Sequence, residues 1–175
     1  MQFIRDVHLV VSNIEQVPKW LDQSKIHVVL HKEIIPERLL PTFNSTTIEM
    51  FLHKIPGLAE HFIYSNDDMM PINNIDVYEF FQDGLPVYEL VHRSTARNIF
   101  RMQCKNSYKL AAKLSEHRDD NTNYFYIRHS IDPMLKSICD EVHEKAGDQI
   151  CKKCTKFREP FNFTQYLFPD YAVMT

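Results

Sequence analysis

Glycine is scarce in this chain, with three in 175 residues. A Gly-rich phosphate-cradling loop of either common type is therefore excluded, and phosphate would have to be held by a metal ion, Arg, Lys or a helix N-terminus. A basic excess is also missing. Twenty Lys and Arg stand against 23 Asp and Glu, a formal net charge of −3, which offers nothing to nucleic acid or an anionic membrane surface. No apolar run approaches the roughly 18–20 residues that span a bilayer. The start carries no charged-then-apolar leader. The expected compartment is the cytoplasm, or the inner face of a membrane through partners. Four cysteines are too few for a disulfide framework at this size. Cys151 and Cys154 form the one close pair, and Cys104, Cys139 and His143 are the groups left to complete a zinc set; their irregular spacing favours reduced thiols instead.

What is present is an ordinary globular composition, 44% hydrophobic and 25% charged, with enough chain for one domain. Val7–Val11 and Ile26–Leu30 are β-branched apolar runs, with a helical turn at Pro18–Leu21 between them. Ile48, Phe51, Leu52 and Ile55 recur at i, i+3, i+4, i+7 and predict an amphipathic helix near 46–55, opened by a Thr46/Glu49 capping box and closed by Pro56-Gly57. His61–Tyr64 reads as a short buried strand. Asp83-Gly84 is a turn signal between Asp76–Phe81 and Leu85–Val91. Thr95 to about Leu114 and Pro133 to Lys145 read as long helices, the second capped by Asp132, with a polar loop over Glu116–Asn123 between them. Aromatics after Phe157 predict packing rather than disorder. The alternation predicts an α/β fold: a Rossmann-like, mostly parallel sheet with helices on both faces and a helical C-terminal part.

The chemistry concentrates in Asn66-Asp67-Asp68, directly after the 61–64 strand. In open α/β sheets, ligands bind beyond the carboxyl ends of strands. Two adjacent carboxylates repel each other, and a divalent cation with oxygen ligands relieves that repulsion. The same residue types also make plain solvated turns.

Taken in order, Ile4–Val11, Val17-Pro18-Lys19-Trp20-Leu21, His31–Ile35, Leu40-Pro41-Thr42-Phe43-Asn44-Ser45, Ile48-Glu49, Ile55-Pro56-Gly57-Leu58 and the Asn-Asp-Asp turn closely resemble the Stealth family of sugar-phosphate transferases. That family includes bacterial capsular polysaccharide phosphotransferases and the catalytic subunit of N-acetylglucosamine-1-phosphotransferase. Arg128-His129 with Asp132-Pro133 looks like its third block, and Phe157-Arg158 with Asn162 and Tyr166 is a looser match to its fourth. The resemblance implies transfer of a sugar-1-phosphate from a nucleotide-diphosphate sugar to a hydroxyl of a polysaccharide or lipid-linked sugar. It implies Mg²⁺ or Mn²⁺ on Asp67 and Asp68, with Asn66 orienting them or the substrate. His129 is then the general base, because imidazole titrates near working pH. Arg128 and Arg158 are candidates for phosphate contact. Asn44 is a candidate donor to the substrate or a plain helix cap. The family's opening block, with its "D-x-V-Y-T-W-V-D" pattern, has no counterpart after Met1. The expectation is a single, N-terminally incomplete domain over residues 1–175, with that unit either absent or supplied by another chain. Two rivals stay open: a metal-dependent glycosyltransferase, and a fragment or partner subunit that binds without turnover.

Overall fold

The computed structural model describes residues 3–117 and 123–175; the centre of the expected Glu116–Asn123 loop lies outside them. Strand β1 (His8–Val11) pairs in parallel with β2 (His27–Leu30). Between them the chain makes two short 3₁₀ turns and closes a turn from Leu21 N–H to Pro18 C=O, where the sequence placed a helical turn. One helical turn, α1 (His31–Ile34), follows β2 directly, buries Ile34 and leads to a cis Leu40–Pro41 bond.

Helix α2 (Ser45–Glu49) is shorter than the expected 46–55 element. Its cap is Asn44, whose side-chain oxygen accepts from Thr46 N–H at 3.2 Å, not the Thr46/Glu49 box. The apolar stripe is nevertheless real: Phe51, Leu52 and Ile55 are buried, carried on a separate 3₁₀ turn at Leu52–Lys54. Gly57, at φ +76°, then takes the left-handed conformation that ends it.

Strand β3 (His61–Tyr64) lies where the sequence placed it, but its partner is β8 (Asp132–Leu135), antiparallel. This corrects the helix expected from Pro133. Pro133 sits opposite Ile63 in a two-stranded ladder, and Asp132, expected to cap that helix, is instead a buried residue of β8. A two-stranded ladder tolerates proline because one edge of each strand needs no N–H. The helix α4 (Lys136–Lys153) begins only after β8 and bends at Ala146, whose φ of −140° is not helical. The hairpin β4 (Phe81–Gln82) and β5 (Leu85–Pro86) turns at Asp83 (φ 51°) and Gly84 (φ 80°), as the Asp-Gly signal required. Strand β6 (Leu90–Arg93) pairs antiparallel with β7 (Tyr124–Ile127), and α3 (Ile99–Leu114), capped by Asn98, joins them.

The described strands therefore pair in twos, one pair parallel and three antiparallel. The α/β class holds as a mixture of helix and strand, but the expected mostly parallel sheet is not formed among the described residues. Apolar runs in β1 and β2 fit a parallel sheet; β3 carries a similar run yet pairs antiparallel with β8, and run length alone does not fix the direction of pairing.

Two clusters make the core. Val29, Met50, Phe51, Leu110, Val142, Ile150, Leu167 and Phe168 belong to the larger one; Cys104, Tyr108, Tyr124, Tyr126 and Tyr166 form an aromatic second. The last helix, α5 (Leu167–Met174), packs on α3 and α4, and Phe163, Tyr166, Phe168 and Tyr171 are core, as the aromatic density suggested, while Phe161 is exposed. No helix is long and apolar enough to cross a membrane among the described residues.

Inside the larger core the ring of His53 is 4.3 Å from that of His143, and both His53 nitrogens lack a hydrogen-bond partner. Burial, then the neighbouring His143 and Lys54, push its pKa down to about 3. The unfolded chain takes up this proton first, near pH 6.5, so the folded state loses stability as pH falls from 6.5 towards 3. The slope is about 1.4 kcal/mol per pH unit across that window. Urea unfolding of His53→Leu should show a shallower loss of midpoint between pH 7 and pH 5 than the parent chain.

Candidate active site

The β3–β8 register sets Tyr64 opposite Asp132. The residues leaving β3, Ser65 to Asp68, and those approaching β8, Arg128 to Ser130, consequently emerge at one end of the ladder. There Asn66 Nδ2 lies 3.4 Å from His129 Nε2. The other ring nitrogen, Nδ1, is 2.9 Å from the hydroxyl of Tyr166, a residue with no exposed surface that anchors the start of α5. Phe100 stacks edge-on against both His129 and Tyr166, so the imidazole has an apolar wall on one side.

Behind this pair lies a polar chain running into the interior. The Tyr64 hydroxyl makes a very short contact with Asn66 Oδ1 and lies 3.2 Å from Glu49 Oε1. Glu49 Oε2 accepts from the backbone N–H of Gln165 at 3.4 Å. Burial raises the pKa of Glu49 against the opposing pull of the Gln165 N–H, Tyr64, Arg158 and Ser45. Asp132 is pushed up to about 7, by burial first and by the Glu49 charge in the same direction, while Gln165 and Ser130 donate to it. Burial also raises Tyr64, with the charges of Glu49, Asp132 and Asp67 behind it. Perturbed acids clustered beside a histidine are characteristic of functional sites.

The sequence-derived candidates occupy distinct places. Asp67 and Asp68 are exposed in the turn directly after Asn66. No set of three His, Cys, Asp or Glu side chains gathers as a metal site among the described residues. Mg²⁺ seldom needs one, because it commonly takes one or two carboxylates and completes its shell with waters and substrate phosphates. Two exposed adjacent carboxylates fit that demand. Arg128 is exposed and paired with Glu89 at 2.5 Å. Arg158 is exposed too; its Nη2 donates to Ser45 Oγ at 2.6 Å, and its charge reaches Glu49.

Asn44 is 1% exposed, and both ends of its amide are used inside the protein. Its oxygen caps α2, while its nitrogen donates to Asn162 Oδ1 at 2.9 Å and to the carbonyls of Thr155 and Phe157 at 3.3 Å. It ties the 155–162 segment, and with it Arg158, to the start of α2.

Glu49, Tyr64, Asp132 and Tyr166 were not among the sequence-derived site residues. Glu49 and Asp132 both matched cap patterns, which describe exposed helix ends, and the burial that perturbs them is a tertiary property. Tyr64 had one usable signal: a hydroxyl closing an otherwise apolar strand requires a buried partner.

Residues 1–87 match the family model described as "Stealth protein CR2, conserved region 2". A capsular polysaccharide phosphotransferase of Actinobacillus suis is 31% identical over 97% of this chain and 48% of its own length. A receptor polysaccharide phosphotransferase of Streptococcus gordonii is 33% identical over 98% of this chain and 60% of its own. An exopolysaccharide phosphotransferase of Lactiplantibacillus plantarum is 48% identical over 48% of this chain. The chain thus spans about half the length of the Actinobacillus relative.

Removing the Asn44 amide uncaps α2 at the Thr46 N–H and takes one donor from the buried Asn162 Oδ1, which keeps the Glu159 N–H at 2.7 Å. Asn44→Ala should therefore lower stability by about 1–3 kcal/mol, measured as a shift in urea midpoint at constant slope.

Proposed function

The chain belongs to the Stealth family, and we propose that it carries part or all of the site that moves a sugar-1-phosphate from a nucleotide-diphosphate sugar onto a sugar hydroxyl in capsular or other cell-surface polysaccharide synthesis. The observation behind this reading is the meeting of Asn66 and His129, 3.4 Å apart, beside the Asp67-Asp68 turn. A proton acceptor thereby adjoins a pair of carboxylates suited to a diphosphate-bound cation.

In this mechanism His129 Nε2 takes the proton of the acceptor hydroxyl as its oxygen attacks the phosphorus that bears the sugar. The bond between that phosphorus and the bridging oxygen breaks, and nucleoside monophosphate departs. Asp67 and Asp68 would hold Mg²⁺ or Mn²⁺, which when bound neutralises pyrophosphate charge. Arg158, braced by Ser45, and Arg128, once released from Glu89, are the planar donors available to phosphate oxygens. Asn66 keeps the imidazole aimed. Asn44 acts on substrate only through the segment it holds.

The Rossmann-like part of the reading rests on the parallel β1–β2 pair, which would be two strands of a larger sheet. A cytoplasmic setting, peripheral to a membrane when the acceptor is lipid-linked, goes with a nucleotide-sugar donor. A companion chain bringing a further βα unit belongs to the same proposal.

Incubation with UDP-sugars, an acceptor oligosaccharide and Mg²⁺ or Mn²⁺ should release UMP, and chelation should stop it. Release of UDP would instead mean cleavage at the sugar–oxygen bond and a glycosyltransferase. Asp67→Ala and Asp68→Ala should each abolish metal-dependent turnover with little change in unfolding midpoint. His129→Gln should cost about 10²–10⁴-fold in kcat, the usual worth of a general base.

A further inference from the structure

Four side chains connect the interior to His129 in an unbroken series: Glu49 Oε1 to the Tyr64 hydroxyl at 3.2 Å, Tyr64 to Asn66 Oδ1, Asn66 Nδ2 to His129 Nε2 at 3.4 Å, and His129 Nδ1 to the Tyr166 hydroxyl at 2.9 Å. Each link between Glu49 and His129 holds one proton, so the series runs in one of two directions and cannot be mixed. If Glu49 is ionised, Tyr64 must donate to it. Asn66 then turns its nitrogen to Tyr64 and its oxygen to His129, and Nε2 has to carry a proton. If Glu49 is a neutral acid, it donates to Tyr64, Tyr64 donates to Asn66 Oδ1, and Asn66 donates to Nε2. The ring proton is then on Nδ1, directed at Tyr166. The polarity of the whole series is decided at its buried end.

We propose that Glu49 is a positioning residue: held as a neutral carboxylic acid, it donates into the Tyr64–Asn66 relay and so keeps the Nε2 of His129 free of a proton. The two carboxyl oxygens are already differentiated for this. Oε2 accepts from the Gln165 N–H and is the carbonyl oxygen, which leaves Oε1, the atom facing Tyr64, to bear the hydrogen. The groups facing Glu49 are Tyr64 from β3, Asp132 from β8, Ser45 from its own helix, Gln165 before α5, and Arg158. Among these described groups Arg158 is the cation, and it is exposed with its guanidinium on Ser45, whereas Asp132 is an acid that discourages a second charge beside it. Burial raises the pKa of Glu49, the direction that favours the neutral form. The long Asn66–Nε2 contact is weak enough for an acceptor hydroxyl to displace.

This inference rests on the phosphotransferase reading only for the use made of a free Nε2; the tautomer itself is measurable without substrate. The ¹⁵N spectra of the uniformly labelled full chain at pH 8, with His129 assigned by its loss in His129→Gln, should show Nδ1 protonated and Nε2 bare. Tyr64→Phe, which keeps the ring and cuts the relay, should move the proton to Nε2. Glu49→Gln, whose amide still donates to Tyr64 and accepts from Gln165, should keep it on Nδ1; Glu49→Leu should behave as Tyr64→Phe. A protonated Nε2 in the parent chain, or a tautomer indifferent to Tyr64→Phe, overturns the proposal. Absence of UMP release with the tautomer as stated would count against the transferase reading alone.

Discussion

The constraint on which the site depends is the exclusion of water from Glu49. A carboxyl group taken from solvent must be neutral, paired with a cation, or fully hydrogen-bonded. Among the described residues the cation that acts on it is exposed Arg158, reached through Ser45. The remaining means are hydrogen bonds, and these recruit Tyr64 from β3 and the Gln165 backbone from the start of α5. Satisfying one buried acid therefore ties together three parts of the chain distant in sequence, and the same bonds continue outward to Asn66 and His129. Asp132 and Asp170 repeat the theme. Asp170, within α5 and wholly buried, has neither oxygen partnered, and burial raises its pKa well above the ordinary range. As pH falls, these three acids, whose pKa values are raised by burial, favour the folded state, whereas His53, whose pKa is lowered by burial, weakens it.

How much of this the sequence disclosed follows the range of the interactions involved. β1, β2, β3, the Asp83-Gly84 turn, α3 and the buried C-terminal aromatics were legible because each depends on neighbours within a few residues: β-branching, apolar periodicity, a left-handed turn. The pairing of β3 with β8 was not, because the partners are some 70 positions apart and nothing local distinguishes a proline in a two-stranded ladder from a proline opening a helix. At the site the division is similar. The contact between Asn66 and His129 joins two separate motifs, and neither motif discloses it locally. Glu49 and Asp132 were misread as caps because carboxylates do cap helices, and only the tertiary structure shows these two to be dry.

Asn44 shows which of its two readings, substrate donor or helix cap, the fold makes visible. Its motif suggests a ligand contact, yet every hydrogen bond it makes is internal. Its effect is mechanical. By fastening Thr155, Phe157 and Asn162 to α2, it fixes where the exposed stack of Phe43 and Phe157 stands and where Arg158 meets Ser45. A residue inside a recognisable motif need not touch substrate to be indispensable to it.

The β3–β8 ladder closes a long excursion of chain, and the two residues that meet across its mouth, Asn66 and His129, sit within three positions of the strands that close it. The exposed turns between them can be lengthened while that clasp stays shut, since the entropy of closing a loop rises only with the logarithm of its length. Proteins built on this plan are thus free to diversify the outer contour of that excursion, generation by generation, without disturbing the Asn66–His129 contact at its root.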